Sequence, residues 1–505
     1  MALINSIISW FNIKRISKIE LMEKFPQEVQ IETFIRLIQA AKDTEWGKKY
    51  DFETIDSIKD FQNRVPIQEY DDVKPYITKL REGEKNILWP GEIKWFAKSS
   101  GTTSDKSKFI PVSEQSLEDC HFRGGKDVIA IYSNLFPDNG ILSGKTLVLG
   151  GSHQIDNFNN HSYYGDLSAV MIENLPFWAK FLRSPSHEVA LLADWEEKIE
   201  KMADEAIQED ITSIAGVPSW TLVLLKYILE KTGKNNLLDI WPNLELFVHG
   251  GVSFKPYKKQ FDKLIIGSKL RYLETYNASE GFFAIQNDLN SNDMMLMLDY
   301  GIFYEFQDVD DYFAQNNKTI TIENVKLNKN YALIITTNGG LWRYVIGDTI
   351  MFTNNNPYKI KITGRLKHYI NTFGEELIID NADKAIEIAA KKTNSEIKEY
   401  TAAPVFPSDN NLGGHEWIIE FETKPTNINF FAEVLDNALK SVNSDYEAKR
   451  YKNLSIAMPK VHIAKQGLFY DWMKNRGKLG GQNKVPRLAN NRIYIDELIE
   501  LNKVS

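Results

Sequence analysis

The sequence contains one cysteine, Cys120, among its 505 residues. A disulfide within the chain needs two cysteines, and a zinc cluster built on cysteines needs several, so both are excluded. The eight histidines do not form an HExxH motif or another pair at metal-ligand spacing. We therefore predict a protein of the reducing cytoplasm without a structural zinc site.

Long apolar runs and an excess of basic charge are also missing. No stretch approaches the roughly 20 consecutive apolar residues that cross a bilayer, so we expect no membrane span. Lysine and arginine together number 60 against 68 aspartates and glutamates, which gives a net charge of -8. A general nucleic-acid binder needs a basic surface. We therefore expect small-molecule partners, no nucleic acid and a monomeric chain.

The most apolar part of the N-terminus is LINSIISWF at residues 3–11. It lacks the basic start and the small-residue cleavage site of a signal peptide. Two interpretations stay open. We favour an amphipathic helix that packs on the body of the protein, and the alternative is an anchor that lies on a membrane surface.

Helical and strand-like patterns divide the rest of the chain. Apolar residues recur at helical spacing between about residues 15 and 85, as at Val29, Phe34 and Ile38, so we predict helices there. Pro218 and Gly233 mark the start and the end of a further helix. Apolar β-prone segments alternate with helical ones at IKWFAK (93–98), KTLVLG (145–150), ITSIAG (211–216), LELFVHG (244–250) and RYLETY (271–276). This alternation predicts an α/β fold with a mixed sheet.

Strand-like segments dominate after about residue 282, with MMLMLDY, GIFYEF, YALIITT and LWRYVIGDTIMF. Asn338 and Gly339, between the last two, predict a tight type I′ hairpin turn, in which both central residues have positive φ. The remaining residues contain predicted helices at 381–392 and 430–442 and the strands EYTAAPVF and HEWIIEFE. We therefore predict a large N-terminal domain, residues 1–363, and a small α+β C-terminal domain, residues 364–505.

A loop of small residues lies within the stretch KSSGTTSDKSKFIPVS at 98–113. Serine, glycine and threonine let backbone N–H groups and hydroxyls approach a polyanion without obstruction, which makes this loop a candidate phosphate site. It is not a Walker A loop, because GxxxxGK[ST] is absent. Lys108 follows the loop and can neutralise phosphates as a point charge. The alternative is a plain solvated turn.

Two carboxylates follow turn-forming residues further along the chain. In ETYNASEG (274–281) we expect a strand to end in a turn that carries Glu280, where a carboxylate can bind Mg²⁺. In WRYVIGDT (342–349) Asp348 follows Gly347 at an expected break between strands, where a carboxylate can accept both hydroxyls of a ribose. Either carboxylate alone is typical of an exposed turn.

Four motifs occur together, namely SSGTT at 99–103, GVPSW at 216–220, YNASEG at 276–281 and YVIGD at 344–348. As a set they resemble the auxin-responsive acyl acid–amido synthetases, a family within the acyl-adenylate-forming superfamily that includes firefly luciferase and acyl-CoA synthetases. The resemblance runs over nearly the whole chain, up to GGQNKVPR at 480–487. It implies a large adenylate-forming domain with mixed β-sheets and helices, and a small mobile α+β domain that closes over the site.

The resemblance also implies an ATP site. Its residues would be Ser99, Ser100, Gly101, Thr102, Thr103, Lys108, Gly250, Gly251, Tyr276, Ser279, Asp348 and Arg365. The first five would wrap the β- and γ-phosphates. Tyr276 and Ser279 would lie near the adenine and the α-phosphate, and Asp348 would bind the ribose. The segment from His249 to Gly251 would pass the adenine.

Two residues would carry the chemistry in this family. Glu280 would bind Mg²⁺, and Lys484 would reach into the site when the small domain closes about a hinge beside Arg365. The phosphate motif departs from that of the wider superfamily, where glycine and proline follow SGTT and precede a lysine. Residues 104–106 here are Ser-Asp-Lys. This departure concerns the assignment of Lys108 as a phosphate contact.

The implied reaction uses ATP, Mg²⁺ and a carboxylic acid to form an acyl-adenylate and pyrophosphate. The amino group of an amino acid would then take the acyl group to give an amide. Two alternatives stay open: a ligase with another acceptor such as coenzyme A, and a non-catalytic nucleotide-binding protein. No nucleophilic serine or cysteine is required, GxSxG is absent, and we expect Cys120 in the core.

An acyl pocket has the weakest sequence signal. Its candidates are Phe122, Arg123, Val217 and Trp220. Packing in the core is the alternative for the aromatic residues. Arg123 would either orient a carboxylate or lie exposed on a helix.

Overall fold

The computed structural model describes residues 2–100, 107–150, 156–158, 161–192, 194–251, 254–267, 270–313, 316–366, 369–370, 372, 375, 377–407, 412–450, 456–476, 485 and 487–503. Its helices are α1 (Ala2–Lys24), α2 (Pro26–Ala41), α3 (Glu45–Lys49), α4 (Ile58–Arg64), α5 (Tyr70–Arg81), α6 (Glu114–Ser116), α7 (Arg123–Leu135), α8 (Leu167–Glu173), α9 (His187–Ala190), α10 (Trp195–Ile207), α11 (Pro218–Thr232), α12 (Lys255–Leu264), α13 (Val309–Phe313), α14 (Ile379–Thr393), α15 (Ile428–Val442), α16 (Ser444–Arg450), α17 (Leu468–Asn475) and α18 (Ile493–Lys503). Short 3₁₀ turns cover Phe52–Thr54, Phe177–Leu182, Leu237–Asp239 and Ile322–Asn324, and a π-helical turn covers Leu117–Phe122.

The strands are β1 (Trp95–Ser100), β2 (Ser107–Val112), β3 (Lys145–Val148), β4 (Asp156–Asn157), β5 (Tyr163–Gly165), β6 (Arg183–Ser184), β7 (Ile211–Gly216), β8 (Leu246–Gly250), β9 (Arg271–Ala278), β10 (Gly281–Ile285), β11 (Met294–Leu296), β12 (Ile302–Asp308), β13 (Asn330–Thr337), β14 (Tyr344–Asn355), β15 (Tyr358–Arg365), β16 (Tyr369–Ile370), β17 (Leu377–Ile378), β18 (Glu396–Val405), β19 (Gly414–Thr423) and β20 (Lys460–Ile463). Each predicted β-prone segment before residue 282 overlaps one of them. The predicted helices at 381–392 and 430–442 correspond to α14 and α15.

A main sheet runs in the order β12-β13-β14-β15-β11-β10-β9-β8-β7-β3-β6. The strands β6, β3, β7, β8 and β9 are parallel, and those from β9 through β10 to β12 pair antiparallel. A smaller sheet has the order β2-β1-β5-β4, and the C-terminal part contains β16-β17 and β18-β19-β20. The predicted α/β class with a mixed sheet is therefore confirmed. Ligands of α/β sheets bind at the carboxyl ends of parallel strands, which here include Gly216 and Gly250.

Helix α1 packs on α7, and α2 packs on β12 of the main sheet. Arg15 of α1 donates to Asp127 at 2.6 Å and forms a second ion pair with Asp299. Gln30 of α2 is buried, and its amide nitrogen donates to the carbonyl oxygens of Leu298 and Ile302 at 2.8 and 2.9 Å. The predicted N-terminal helix is present, and these contacts join its C-terminal half to the body of the protein.

Helix α11 starts and ends as the sequence predicts. Pro218 occupies its first turn, and Gly233 caps it with a φ of 66° in the left-handed region, which glycine adopts without a steric penalty. The helix follows β7 directly. This connection places GVPSW at the carboxyl edge of the parallel strands.

The connection between β13 and β14 differs from the prediction. The two strands pair antiparallel, but Asn338 and Gly339 are not the positions with positive φ, which are Gly340 at 91° and Arg343 at 45°. Asn338 donates from its side chain to the carbonyl oxygen of Gln115 at 3.2 Å. The type I′ turn was therefore wrong, because contacts with distant residues hold residues 338–343 in a longer connection.

Asp348 also lies in a different local structure from the one expected. Gly347 and Asp348 belong to the interior of β14 and do not separate two strands. The register of β14 shifts against β13 between Ala332 and Ile334, and Gly347 has a φ of 99°. This irregularity is a bulge, and bulges often re-aim a side chain beside a functional site.

Helix α7 offers a matched pair of glycines for a test of packing. A Cβ atom at Gly124 would lie 2.4 Å from the ring of Phe282, whereas one at Gly125 would meet no heavy atom within 4 Å. We expect Gly125→Ala to raise the free energy of unfolding by about 0.5–1 kcal/mol through helix propensity. Gly124→Ala should lower it by about 1–3 kcal/mol through overpacking. Urea unfolding of both variants checks this, and equal effects would contradict it.

Candidate functional site

Two described strands, β1 and β2, flank the small-residue loop. Strands β1 and β2 pair antiparallel, with Ser99 opposite Lys108 and Ser100 opposite Ser107. The predicted phosphate residues Gly101, Thr102 and Thr103 lie outside the described residues, as does the side chain of Ser100. The hairpin fixes where that loop begins and ends.

Lys108 connects this hairpin to the main sheet. Its ammonium donates to the hydroxyl of Tyr344, in β14, at 3.3 Å. It also lies 5.7 Å from the ring centroid of Tyr70, and the backbone N–H of Phe109 donates to the Tyr70 hydroxyl at 2.9 Å. The base of the predicted phosphate loop is therefore held against the strand that carries Asp348.

Asp348 and Tyr276 form a direct hydrogen bond. The Tyr276 hydroxyl donates to Asp348 Oδ2 at 2.6 Å, and both residues are buried. They come from β9 and β14, which are not neighbours in the sheet. The structure therefore brings the predicted adenine and ribose residues together, although they are 72 positions apart in the chain.

Glu280 and Ser279 occupy the turn between β9 and β10, as predicted. Both are partly exposed. The next strand packs on the π-helical turn through Cys120, whose sulfur accepts from the backbone N–H of Phe282 at 3.1 Å. Cys120 is buried, which confirms its predicted place in the core.

Gly250 and Gly251 end β8 and begin the connection to α12. A Cβ atom at Gly250 would lie 2.5 Å from the carbonyl oxygen of Thr275, so only glycine fits against β9 there. Gly251 has a φ of 79°, and a Cβ atom there would lie 3.6 Å from Val217. Val217 therefore lies beside the segment predicted to pass the adenine.

His249 precedes these glycines and is buried, with its ring stacked on Phe254 at a centroid distance of 4.3 Å. Burial lowers its pKa to about 3. The same cause lowers the pKa of buried His121, in the π-helical turn, to about 4. Both imidazoles are therefore neutral over the physiological pH range.

These two histidines predict a loss of stability in acid. Below pH 6.5 the unfolded imidazole binds a proton that the folded one does not, so stability falls as the pH decreases toward the folded pKa. Between pH 7 and pH 5 we expect the free energy of unfolding to drop by about 2 kcal/mol for each histidine. Urea unfolding of His249→Gln at both pH values should show a smaller drop than the parent protein. The exposed His161→Gln serves as control, and an unchanged drop in His249→Gln would contradict the prediction.

The remaining acyl-pocket candidates are spread around the site. Phe122 is buried in the π-helical turn. Arg123 donates to Asp119 at 2.6 Å and to the carbonyl oxygen of Asp299 at 3.0 Å, so its guanidinium already has protein partners. Trp220, in the first turn of α11, lies under the ammonium of Lys449 at 5.9 Å from its ring centroid. This contact joins the helix to the C-terminal part of the chain.

Of the predicted hinge and the C-terminal lysine, the structure describes the backbone of Arg365. Arg365 pairs with Asp348 across β14 and β15, but its side chain is outside the described part. Lys484 lies outside the described residues as well. The pairing places the predicted hinge next to the predicted ribose contact.

One part of the site was not foreseen from the sequence. Arg343, just before Tyr344, is buried and pairs with buried Glu305, its Nη2 donating to Oε1 at 2.9 Å. Its Nη1 also donates to the carbonyl oxygen of Val65 at 2.6 Å. The arginine was visible within WRYVIGD, but its partner lies 38 positions away and no local pattern indicates it.

The described residues contain neither a metal-binding cluster nor a membrane-spanning helix. No group of three or more His, Cys, Asp or Glu side chains could hold a metal ion there. Within the same residues, no helix has the length and apolarity needed to cross a membrane.

Comparison with known proteins adds relatives of known activity. An indole-3-acetic acid-amido synthetase, GH3.3 of Arabidopsis thaliana, is 23% identical, over 94% of this chain and 91% of its own. The 4-substituted benzoates-glutamate ligase GH3.12 of the same plant is 22% identical, over 85% and 87%. Among solved structures, the AtGH3.15 acyl acid amido synthetase in complex with 2,4-DB superposes with a TM-score of 0.63 at 17% identity, over 96% of this chain and 95% of its own. A 2-hydroxyisobutyryl-CoA ligase reaches 0.59 at 13% identity, over 95% and 93%.

Family models match three consecutive parts of the chain. They are the GH3 family N-terminal domain at residues 15–270, the central domain at 295–365 and the C-terminal domain at 380–493. Together they match most of the chain. They contain SSGTT, GVPSW and YVIGD, and YNASEG at 276–281 lies between the first two matches. The chain therefore belongs to the GH3 family, the acyl acid–amido synthetases of the adenylate-forming superfamily.

Proposed function

We propose that this chain is an ATP-dependent acyl acid–amido synthetase. It would adenylate a carboxylic acid and transfer the acyl group to the amino group of an amino acid. The observation that carries the proposal is the hydrogen bond between Tyr276 and Asp348. Asp348 belongs to β14, and Lys108, in the hairpin of the phosphate loop, donates to the hydroxyl of Tyr344 in the same strand. The candidate adenosine contact and the candidate phosphate contact therefore both involve β14.

ATP would lie along the carboxyl edge of β8 and β9. The adenine would pass Gly250 and Gly251, at the point where the close packing of Gly250 on Thr275 sets the path of the backbone. Asp348 has carboxylate oxygens that can accept from ribose hydroxyls, and Tyr276 orients it. Ser99, Ser100, Gly101, Thr102 and Thr103 would enclose the phosphates, with Lys108 at the base of the loop.

Mg²⁺ fits the donor set of this edge. Mg²⁺ prefers oxygen ligands and commonly binds through one or two carboxylates together with substrate phosphates and waters. The single carboxylate of Glu280, in the turn after β9, meets that requirement without a three-residue cluster. When bound, the ion would supply neutralisation of phosphate charge.

In the first half-reaction a carboxylate oxygen of the acid would attack the α-phosphorus of ATP. A new P–O bond forms, the bond to the bridging oxygen breaks, and pyrophosphate leaves. The residues contribute positioning and charge stabilisation rather than covalent chemistry. Ser279 would lie near the α-phosphate, and the ammonium of Lys108 would face the leaving group.

In the second half-reaction the neutral amine of the acceptor would attack the acyl carbon and release AMP. We propose that the small domain, residues 364–505, turns about the segment next to Arg365 between the two steps. Lys484 would enter the site in one of the orientations. Val217 and Trp220, beside Gly251 and the C-terminal part, would line the acyl pocket together with Phe122 and Arg123. We further propose a cytoplasmic monomer; the single cysteine is consistent with the reducing compartment.

The test is ATP–pyrophosphate exchange with purified protein and Mg²⁺ over a panel of aromatic and aliphatic carboxylic acids. Acids that support exchange are then incubated with ATP and a mixture of amino acids, or with coenzyme A, and the products are separated by mass. Amide formation supports the proposal. Thioester formation without amide would replace it with the coenzyme A ligase, and ATP binding without exchange would favour the non-catalytic alternative.

A further inference from the structure

A cavity of about 660 Å³ lies at the amino ends of β8 and β9. Glu245, which directly precedes β8, and Arg271, the first residue of β9, line it together with the end of α7 and the turn that follows that helix. The proposed ATP contacts lie toward the other ends of these strands. Tyr276 is further along β9 than Arg271, about 16 Å away at the usual rise of a strand. The cavity is therefore separate from the ATP site.

Three donors fix the carboxylate of Glu245 in the wall of this cavity. The Tyr132 hydroxyl donates to Oε1 at 2.6 Å, and the backbone N–H of Gly140 donates to Oε2 at 2.8 Å. Nη1 of Arg271 donates to Oε1 at 3.0 Å. Both carboxylate oxygens thus have partners, and the charge of Glu245 is balanced by that of Arg271. These bonds join α7, the turn after it and β9 into one preformed wall.

One edge of the Arg271 guanidinium is not used by the residues that the structure describes. Its hydrogen bonds there all come from Nη1, which donates to the Tyr132 hydroxyl at 3.0 Å as well as to Glu245. The side chain is 28% exposed, and its guanidinium carbon lies 3.9 Å from the ring centroid of Phe136, so stacking holds the plane of the group. The pair Nε and Nη2 is left over, and such an edge can bind a carboxylate through two parallel hydrogen bonds.

The rest of the cavity favours an organic ligand over an inorganic anion. Leu135, Leu238, Pro242 and Leu244 contribute apolar surface to its lining. Cavities of about 300–1000 Å³ with apolar walls and a few placed polar groups are typical of sites for small organic molecules. Asp138 also lines the cavity, but it is exposed, so water and salt screen its repulsion of an anion.

We propose that this cavity binds a small organic carboxylate with an apolar body. Nε and Nη2 of Arg271 would donate to the two carboxylate oxygens, and the apolar body would lie against Leu135 and Leu238. The stack on Phe136 and the bonds of Nη1 hold the donor edge in place before the ligand arrives, which lowers the cost of binding. This site is additional to the ATP and acyl contacts, and it does not depend on the proposed amido synthetase activity.

The probe is benzoate, titrated calorimetrically into the purified protein without ATP, and benzamide is its neutral counterpart of nearly the same shape. Arg271→Gln removes the donor pair. Asp138→Asn removes a negative charge at an exposed position. Arg476→Gln is the matched control, because Arg476 is 29% exposed, pairs with Glu497 at 2.6 Å and lies 4.9 Å from a ring centroid of Trp472.

The two cavity variants should act in opposite directions. Arg271→Gln should weaken benzoate binding at least about tenfold, and benzamide should bind the parent protein at least about tenfold more weakly than benzoate, since each change removes a bidentate charge-assisted contact. Asp138→Asn should strengthen benzoate binding by about twofold, because a like charge is gone. Arg476→Gln should leave it unchanged.

Benzoate bound in the acyl pocket would appear as a second event that none of the three substitutions alters. Should Arg271→Gln fail to fold, Asp138→Asn and benzamide decide the question, since neither disturbs the bonds of Glu245. Absence of benzoate binding, equal binding of benzoate and benzamide, or a benzoate affinity that neither cavity variant changes would overturn the proposal.

Discussion

Replacement of Glu280 with alanine is expected to lower ATP–pyrophosphate exchange by about 100- to 1000-fold, the loss typical when one preorganised electrostatic contact to a transition state is removed. Glu280 lies in the turn after β9, next to the strand whose Tyr276 contacts Asp348. Loss of its carboxylate would remove the oxygen ligand that we assign to Mg²⁺, and with it the neutralisation of phosphate charge by the ion. The measurement is exchange at saturating acid over a range of Mg²⁺ concentrations.

A Mg²⁺ titration tests directly whether Glu280 holds the ion. If Glu280 holds the ion, Glu280→Gln should need more Mg²⁺ for half-maximal exchange as well as having a lower maximum. Glu230→Ala, at an exposed position of α11, should behave like the parent protein. A Glu280→Ala protein that exchanges within about threefold of the parent would remove Glu280 from the proposed site, since the loss expected of such a contact is far larger.

Replacement of Arg343 with methionine is expected to lower the free energy of unfolding by about 3–5 kcal/mol, because Glu305 is left as an unpaired buried charge. The side chains of the two residues are 2% and 1% exposed. The guanidinium also bonds to the carbonyl oxygens of Gln62 and Val65, so the substitution removes several hydrogen bonds at once. Urea unfolding followed by circular dichroism measures the effect.

An exposed ion pair provides the control for this experiment. Lys258 and Asp262 form an i,i+4 pair on α12 at 2.8 Å, and exposed pairs contribute about 0–1 kcal/mol. Lys258→Met should therefore change stability little. The double variant Arg343→Met/Glu305→Leu should recover part of the loss, since both charges are gone. A single Arg343→Met variant with unchanged stability would show that water or another group satisfies Glu305.

Local sequence patterns were sufficient to predict the helices and strands and to identify the family. Helix α11 begins at Pro218 and is capped by Gly233 because these effects act within one turn of the chain. The hairpin at 338–343 shows where such reasoning fails. Asn338 and Gly339 favour a type I′ turn locally, but the side chain of Asn338 bonds to Gln115, 223 positions away. A tertiary contact of this kind leaves no local signal.

The candidate site was predictable only in part, for the same reason. Tyr276 and Asp348 stood in recognisable motifs, but their hydrogen bond depends on the order of the strands in the sheet. Lys198 occurs in the sequence WEEKIEK, which is typical of an exposed helix face, yet it is 1% exposed. A burial of this kind follows from what packs on α10, which periodicity alone does not reveal.

The first helices can complete their packing only late in synthesis, because their partners lie far along the chain. Gln30 gives its amide N–H groups to Leu298 and Ile302 and accepts from the backbone N–H of Tyr304. Translation at about 5–20 residues per second brings residue 304 out of the ribosome roughly 14–55 s after residue 30. Throughout that interval the apolar face of α2, with Phe34, Leu37 and Ile38, lacks the strand that covers it. The newly made N-terminus is therefore a natural client for chaperones, and slower translation lengthens its exposure.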